Sequence, residues 1–168
     1  MTELDEVWTQ MLITAGEKAA LAGRADVAEY LRLKATNDAI RTAGVNWLLE
    51  AVVESAFNEA GRHTNITVDR QDGHAFAHGS STMAGALLTV RFGVRCLSVE
   101  AGWTRTPSHG IMRGHALARA NISHFGRARD GESLRLVQGD DLPGWLRDED
   151  TVFTADAIRR HINKLLDR

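Results

Sequence analysis

The chain has 168 residues, of which 43% are apolar and 25% charged, with one cysteine and two prolines. A globular chain of this length buries roughly two-thirds of its unfolded surface, so neither a metal nor a disulfide is needed to hold it, and its composition excludes general disorder. The formal net charge is -2, a total that matters less than its uneven distribution along the chain.

Cys96 has no internal partner, and no run of apolar residues reaches the length of a membrane-spanning helix. The first residues, MTELDEVWTQ, lack the basic end and apolar centre of a signal peptide, so a reducing, cytoplasmic setting is expected. The charge is unevenly spread: residues 1–61 carry ten acids and five bases, residues 62–135 five acids and ten arginines, and residues 136–168 seven acids and five bases. Two readings account for this. Either the middle segment faces an anionic partner, or acidic helices and a basic sheet answer one another inside one fold.

In chain order, Leu4, Val7, Trp8, Met11, Leu12, Ala15 and Ala19 recur at helical spacing, and Gly23 supplies a stop. A second, shorter helix is expected over ADVAEYLRLKA, burying Val27, Tyr30 and Leu31. Thr36, Asn37 and Asp38 then offer caps for a third helix from Asp38 to Ala60, with Ile40, Ala43, Trp47, Leu48, Ala51, Val52 and Ala56 as its apolar stripe. Gly61, Arg62 and His63 read as its end.

The period then changes from helical to alternating. Asp72-Gly73 predicts a two-residue hairpin that pairs Asp69 with Phe76 and places Ile66, Val68, Ala75 and Ala77 inside. A second hairpin is expected at Gly93-Val94, opposing Phe92 to Arg95, Val90 to Leu97, Leu88 to Val99 and Ala86 to Ala101. Thr89, Arg91, Cys96 and Ser98 fall on its other face. A short helix near residues 111–120, strands near 121–126 and 133–138, an acidic loop GDDLPGWLRDED and a C-terminal helix over 154–167 follow, the last burying Ala157, Ile158, Ile162, Leu165 and Leu166.

The fold class is therefore α+β in one domain: N-terminal helices and a long helix packed on an antiparallel meander sheet, a short helix after the sheet and a C-terminal helix. Residues 1–61 are helical, 64–138 mainly sheet and 154–167 helical.

The stretch GWTRTPSHGIMRGHALARANISHFGRAR, residues 102–129, holds five arginines and three histidines and no acid. Guanidinium groups bind phosphate and carboxylate bidentately, and no local carboxylate neutralises them here. Arg105, Ser108, His109, Arg113, His115 and Arg119 are the expected ligand-binding residues, with Ser108 capping the short helix. The function read from them is binding of an anionic small molecule or an acidic partner surface. The alternative is a hydrolase or transferase acting on a phosphate- or carboxylate-bearing substrate with a histidine as general base.

No metal site and no cofactor is expected. His74 and His78 sit roughly 13 Å apart on a strand, too far to share an ion, and a set drawn from His109, His115 and His124 has no signature. Asp69 is placed to contact His74 or His78, and Cys96 reads as an inert thiol. Trp8 and Trp47 are expected in the core, Trp103 is poised to stack on Arg105, and Trp145 reads as an interface anchor. Too few aromatic residues accompany the arginines for single-stranded nucleic acid, and a homodimer is compatible with the sheet edge and the acidic loop.

Overall fold

The computed structural model describes residues 3–61 and 65–167. Two helices, α1 (Glu3–Leu21) and α2 (Ala25–Ala60), precede a sheet of six strands, β1 (Ile66–His78), β2 (Ser81–Phe92), β3 (Arg95–Trp103), β4 (Ala118–His124), β5 (Glu132–Gln138) and β6 (Pro143–Leu146), and α3 (Ala155–Leu166) follows. Every strand pairs antiparallel with the next in the order β1-β2-β3-β4-β5-β6, so the α+β meander holds, and the strands expected near 121–126 and 133–138 are β4 and β5. No helix among the described residues is long and apolar enough to cross a membrane.

The second and third helices are one. The 36 residues of α2 run straight through Thr36-Asn37-Asp38, giving a rod of about 54 Å. Asp38 does not cap because its carboxylate is already engaged: it accepts from Arg41 at 2.9 Å, from Lys34 at 3.2 Å and from the Trp8 indole at 3.4 Å. With no glycine or proline between Gly23 and Gly44, nothing else stops the helix. Trp8 and Trp47, expected in the core, are about half exposed, whereas Trp145 is buried and donates to the Gly44 carbonyl at 2.9 Å. A Cβ at Gly44 would meet a Leu136 methyl at 2.5 Å, so any larger residue there would make the Leu136 side chain shift. Arg62, His63 and Thr64, and the side chain of Leu4, lie outside the described residues.

The hairpin at Gly93 forms in the expected register, Phe92 opposite Arg95 and Ala86 opposite Ala101. The hairpin at Asp72-Gly73 does not. β1 continues through that dipeptide, its pairing with β2 slips between Asp72 and His74, and the reversal comes instead between His78 and Ser81. Asp-Gly is also the signature of a bulge with glycine in the left-handed region, and Gly73 has φ 73°. Local chemistry cannot separate the two. As a result Phe76 is buried opposite Met83, while Ala75 and Ala77, expected inside, are exposed.

The core lies between one face of the sheet and the helices. Leu48, Leu49, Val52 and Ala56 of α2 and Ile158, Ile162 and Leu165 of α3 close over Leu88, Val90, Leu97, Val99, Ala120, Leu134 and Leu136. The other face carries no helix and mainly polar side chains, with Phe76 and Met83 buried on it as apolar exceptions. No helix forms over residues 111–120: the chain makes a three-residue turn at Pro107–His109 and then runs as a loop into β4. Too many of those residues are fastened to the sheet for a helix to close on itself. β6 arises within the acidic loop, where Trp145 supplies an apolar anchor.

Candidate anion site

The loop from Thr104 to Leu117 is held down by side chains that donate to its carbonyl groups. Arg119 reaches the Arg113 carbonyl at 2.9 Å, Arg135 that of Gly114 at 2.9 Å, Arg41 that of Leu117 at 2.8 Å and Ser81 that of Ile111 at 3.2 Å. Arginines thus satisfy backbone acceptors that no strand or helix would otherwise pair. Arg119 and Arg135 stand opposite one another on β4 and β5, on the helix-free face.

Where this loop crosses the end of the β1-β2 hairpin it leaves a recess of about 200 Å³, lined by His78, Gly79, Ser80, Ser81, Met83, Ile111, Arg113 and Arg119. Its floor is apolar and its rim is cationic. Neither Arg113 nor Arg119 forms an ion pair among the described residues, and the Arg113 guanidinium has no partner there at all. Arg135, one strand further, is paired with Asp150.

The electrostatics record the crowding. Burial, and after it the charge of Arg135, lowers the Arg119 pKa, with Asp148 acting against both. Burial and then Arg119 likewise lower the pKa of His78, so its imidazole is neutral at pH 7. Three groups that can each carry positive charge therefore face one small space, with no carboxylate bonded to any of them among the described residues. An anion entering it would exchange hydration for charge-assisted hydrogen bonds and relieve the repulsion.

Of the six residues expected to bind, the fold brings together Arg113 and Arg119 alone. Arg105 turns to the other side of the sheet end, where its guanidinium stacks 3.6 Å from the Trp103 ring, as foreseen, and its Nε donates to the Ala84 carbonyl at 3.3 Å. His109 uses Nδ1 to accept from the Arg105 amide at 3.2 Å. Ser108 caps no helix and contacts the Thr106 hydroxyl at 2.8 Å. His115 is exposed with φ 54° at the bend of the loop. His78, the third member of the recess, comes from a different strand, and the sequence holds no spacing that would have joined it to Arg113.

A second polar cluster lies on the helix side. His124 and His161 are both buried, with Nε2 and Nδ1 2.9 Å apart, and the far nitrogen of His161 is 3.2 Å from Glu132. Glu132 in turn pairs with Arg147 at 2.9 Å. Burial, then the neighbouring imidazole, depresses the His124 pKa to about 4, and burial lowers that of His161 in spite of Glu132. With both rings neutral, His124 donates to His161 and His161 donates to Glu132, so the chain satisfies itself. His161 was legible in principle, because it falls within the stripe Ile158, Ile162, Leu165 of α3. The set of His109, His115 and His124 weighed for a metal is not assembled.

Asp69 does not meet His74 either. His74 instead lies 2.7 Å from Glu100, across β2, and Glu100 accepts from Asn121 at 3.5 Å. Cys96 is half-buried beside the Ser98 hydroxyl at 3.8 Å, with no imidazole bonded to it among the described residues.

No protein-family model matches the chain, and no match was found among curated proteins or solved structures.

Proposed function

We propose that the protein is a non-catalytic binding module whose ligand is a small molecule bearing a phosphate or carboxylate group, held in the recess between His78, Arg113 and Arg119. One observation carries this reading: two guanidinium groups and an imidazole line one recess with no carboxylate bonded to them among the described residues, and burial, with the neighbouring positive charge after it, lowers the pKa of His78 and Arg119. A volume of about 200 Å³ accommodates one anionic group and little more, below the roughly 300 Å³ at which pockets for whole drug-sized ligands begin. The rest of the ligand therefore lies outside, against Ile111. Two arginines at one recess are a local feature and not the extended basic track that nucleic acid requires. A cytoplasmic setting suits the single half-buried thiol.

Thermal unfolding tests the proposal. Inorganic phosphate at a hundred times its dissociation constant stabilises the folded state by about 2.7 kcal/mol. The shift is expected to exceed that of chloride at equal ionic strength and to vanish in the Arg113→Ala, Arg119→Ala double variant. Equal shifts in wild type and variant would remove the recess from consideration.

The contact of His74 with Glu100 favours one second reading. A carboxylate that orients an imidazole is the arrangement of a general base, so the open sheet face could activate water for hydrolysis of an anionic ester bound nearby. Phosphatase and esterase assays with wild type and His74→Gln decide it: turnover lost with the imidazole supports the reading, and no turnover in wild type removes it.

A further inference from the structure

The bulge in β1 opens a space on the helix side of the sheet. Gly73 is the extra residue, in the left-handed region with φ 73°, and it shifts the register so that Asp72 faces Ala86 while His74 faces Gly85. A bulge bends its strand and re-aims the side chains on either side of it. With only Gly85 and Ala86 of β2 to fill this corner, α2 does not close fully onto the sheet. A slot of about 260 Å³ remains between them, and its floor is formed by Val45, Ala86 and Trp103, all buried.

The polar groups that α2 turns to this slot are donors without acceptors. Thr42 is 8% exposed, and its hydroxyl makes no hydrogen bond among the described residues. A helical threonine can turn its hydroxyl back to the carbonyl four residues earlier. This one opens on the slot instead. One turn on, the Asn46 carboxamide oxygen accepts from Arg70 at 2.9 Å, which leaves its amide N–H groups without an acceptor among the described residues. Buried donors left in this way cost stability unless something outside the chain meets them. At the mouth stand Arg70, Asp72 and Arg105, so the rim is positive by one charge. Arg70 is paired with Asp72 at 3.1 Å, and Arg105 lies over the Trp103 ring, 3.6 Å from its centre.

We infer that this slot is a second ligand site, for a small carboxylic acid whose body is a single ring or a short branched chain. The class follows from the parts. A volume of about 260 Å³ falls just below the roughly 300 Å³ at which pockets for drug-sized ligands begin, so it takes one ring and no nucleotide or peptide. Val45, Ala86 and Trp103 cover the apolar body. The two oxygens of a carboxylate accept from the Thr42 hydroxyl and the Asn46 amide, which lie one helical turn apart, and the positive rim answers the charge. A cation meets the wrong sign at the mouth, and inorganic phosphate would leave the floor uncovered. The slot lies on the helix side and shares no residue with the anion recess, so it does not rest on that reading.

The test is a titration of the full chain with benzoate, isovalerate and benzyl alcohol, followed by amide chemical shifts. It is run in wild type and in the Arg113→Ala, Arg119→Ala double variant, in which the recess no longer competes for a carboxylate. Saturable changes at residues 42–46, 72–73, 85–86 and 103–105 are expected in both proteins with at least one of the two acids, and benzyl alcohol should bind about tenfold more weakly or worse. Thr42→Val with Asn46→Ala keeps the helix and removes both donors, and should lower the acid's affinity about tenfold or more. Three results would each overturn the inference: no saturable change at these residues with either acid, benzyl alcohol binding as tightly as benzoate, or an unaltered affinity in the folded Thr42→Val, Asn46→Ala variant. The first two readouts need no variant of the slot.

Discussion

Two clusters of histidine and charged side chains sit on opposite faces of the same sheet and behave in opposite ways. On the helix side, His124, His161 and Glu132 form a chain in which each imidazole donor has an acceptor, and the charge of Glu132 is answered by Arg147, whose Nε is the one buried side-chain donor left without a partner among the described residues. On the other side, His78, Arg113 and Arg119 meet with donors in excess and, among the described residues, no bonded acceptor but a loop carbonyl. Residue type does not distinguish the two. What separates a structural polar cluster from a binding site is whether the protein itself supplies the missing partner.

The strongest way to break the comparison is to remove a member of the histidine chain. His161→Ala leaves a gap in the core and strips both His124 and Glu132 of a partner, and is expected to cost about 3 kcal/mol of stability in urea unfolding, with ligand binding unchanged. His161→Gln, which keeps a donor and an acceptor, should cost less.

Acid attacks the same cluster without a mutation. The folded-state pKa of His124 is about 4, below its ordinary value of 6.5, so the unfolded chain binds the proton first as pH falls. Its contribution is fully present above pH 6.5 and is lost progressively between there and about 4, on the order of 3 kcal/mol by the lower limit, with His161 adding in the same direction. Urea midpoints measured across that range should fall steeply in wild type and less steeply in His124→Leu.

At the recess the same chemistry gives the opposite sign. Protonated His78 adds a positive charge to the proposed anion site, so ligand affinity should rise as pH falls below 6.5, by at most tenfold per pH unit for one proton. Calorimetric titration with a carboxylate or sulfate that keeps its charge measures this, and His78→Gln should flatten the dependence. The smallest effect separates the recess from its neighbours: Arg105→Ala loses a stacking contact worth about 1 kcal/mol and should leave anion affinity unaltered, as should His109→Ala and His115→Ala.

The β2-β3 hairpin was readable to the residue because Gly93 and strict alternation on both sides agree. The apolar side of α3 was readable for the same reason. Errors arose where one local signal serves two structures: Asp72-Gly73 fits a bulge as well as a turn, and Thr36-Asn37-Asp38 fits a cap until Trp8, from another helix, occupies the carboxylate. At the site, the absence of acids between Glu100 and Asp130 pointed to six residues, of which the fold places Arg113 and Arg119 at one recess, while three of the other four serve the loop's own backbone, stacking or turn. Sequence cannot show which arginines will be consumed in fastening a loop. Nor can it bring His78 to them, since that depends on where β1 ends, and its end was displaced by the bulge.

The most direct measurement is a phosphate titration followed by backbone amide chemical shifts. Saturable changes confined to residues 78–81, 110–113 and 119, and absent with chloride at the same ionic strength, are the predicted result. Shifts that never saturate, or that centre on other residues, would contradict the assignment of the recess as an anion site.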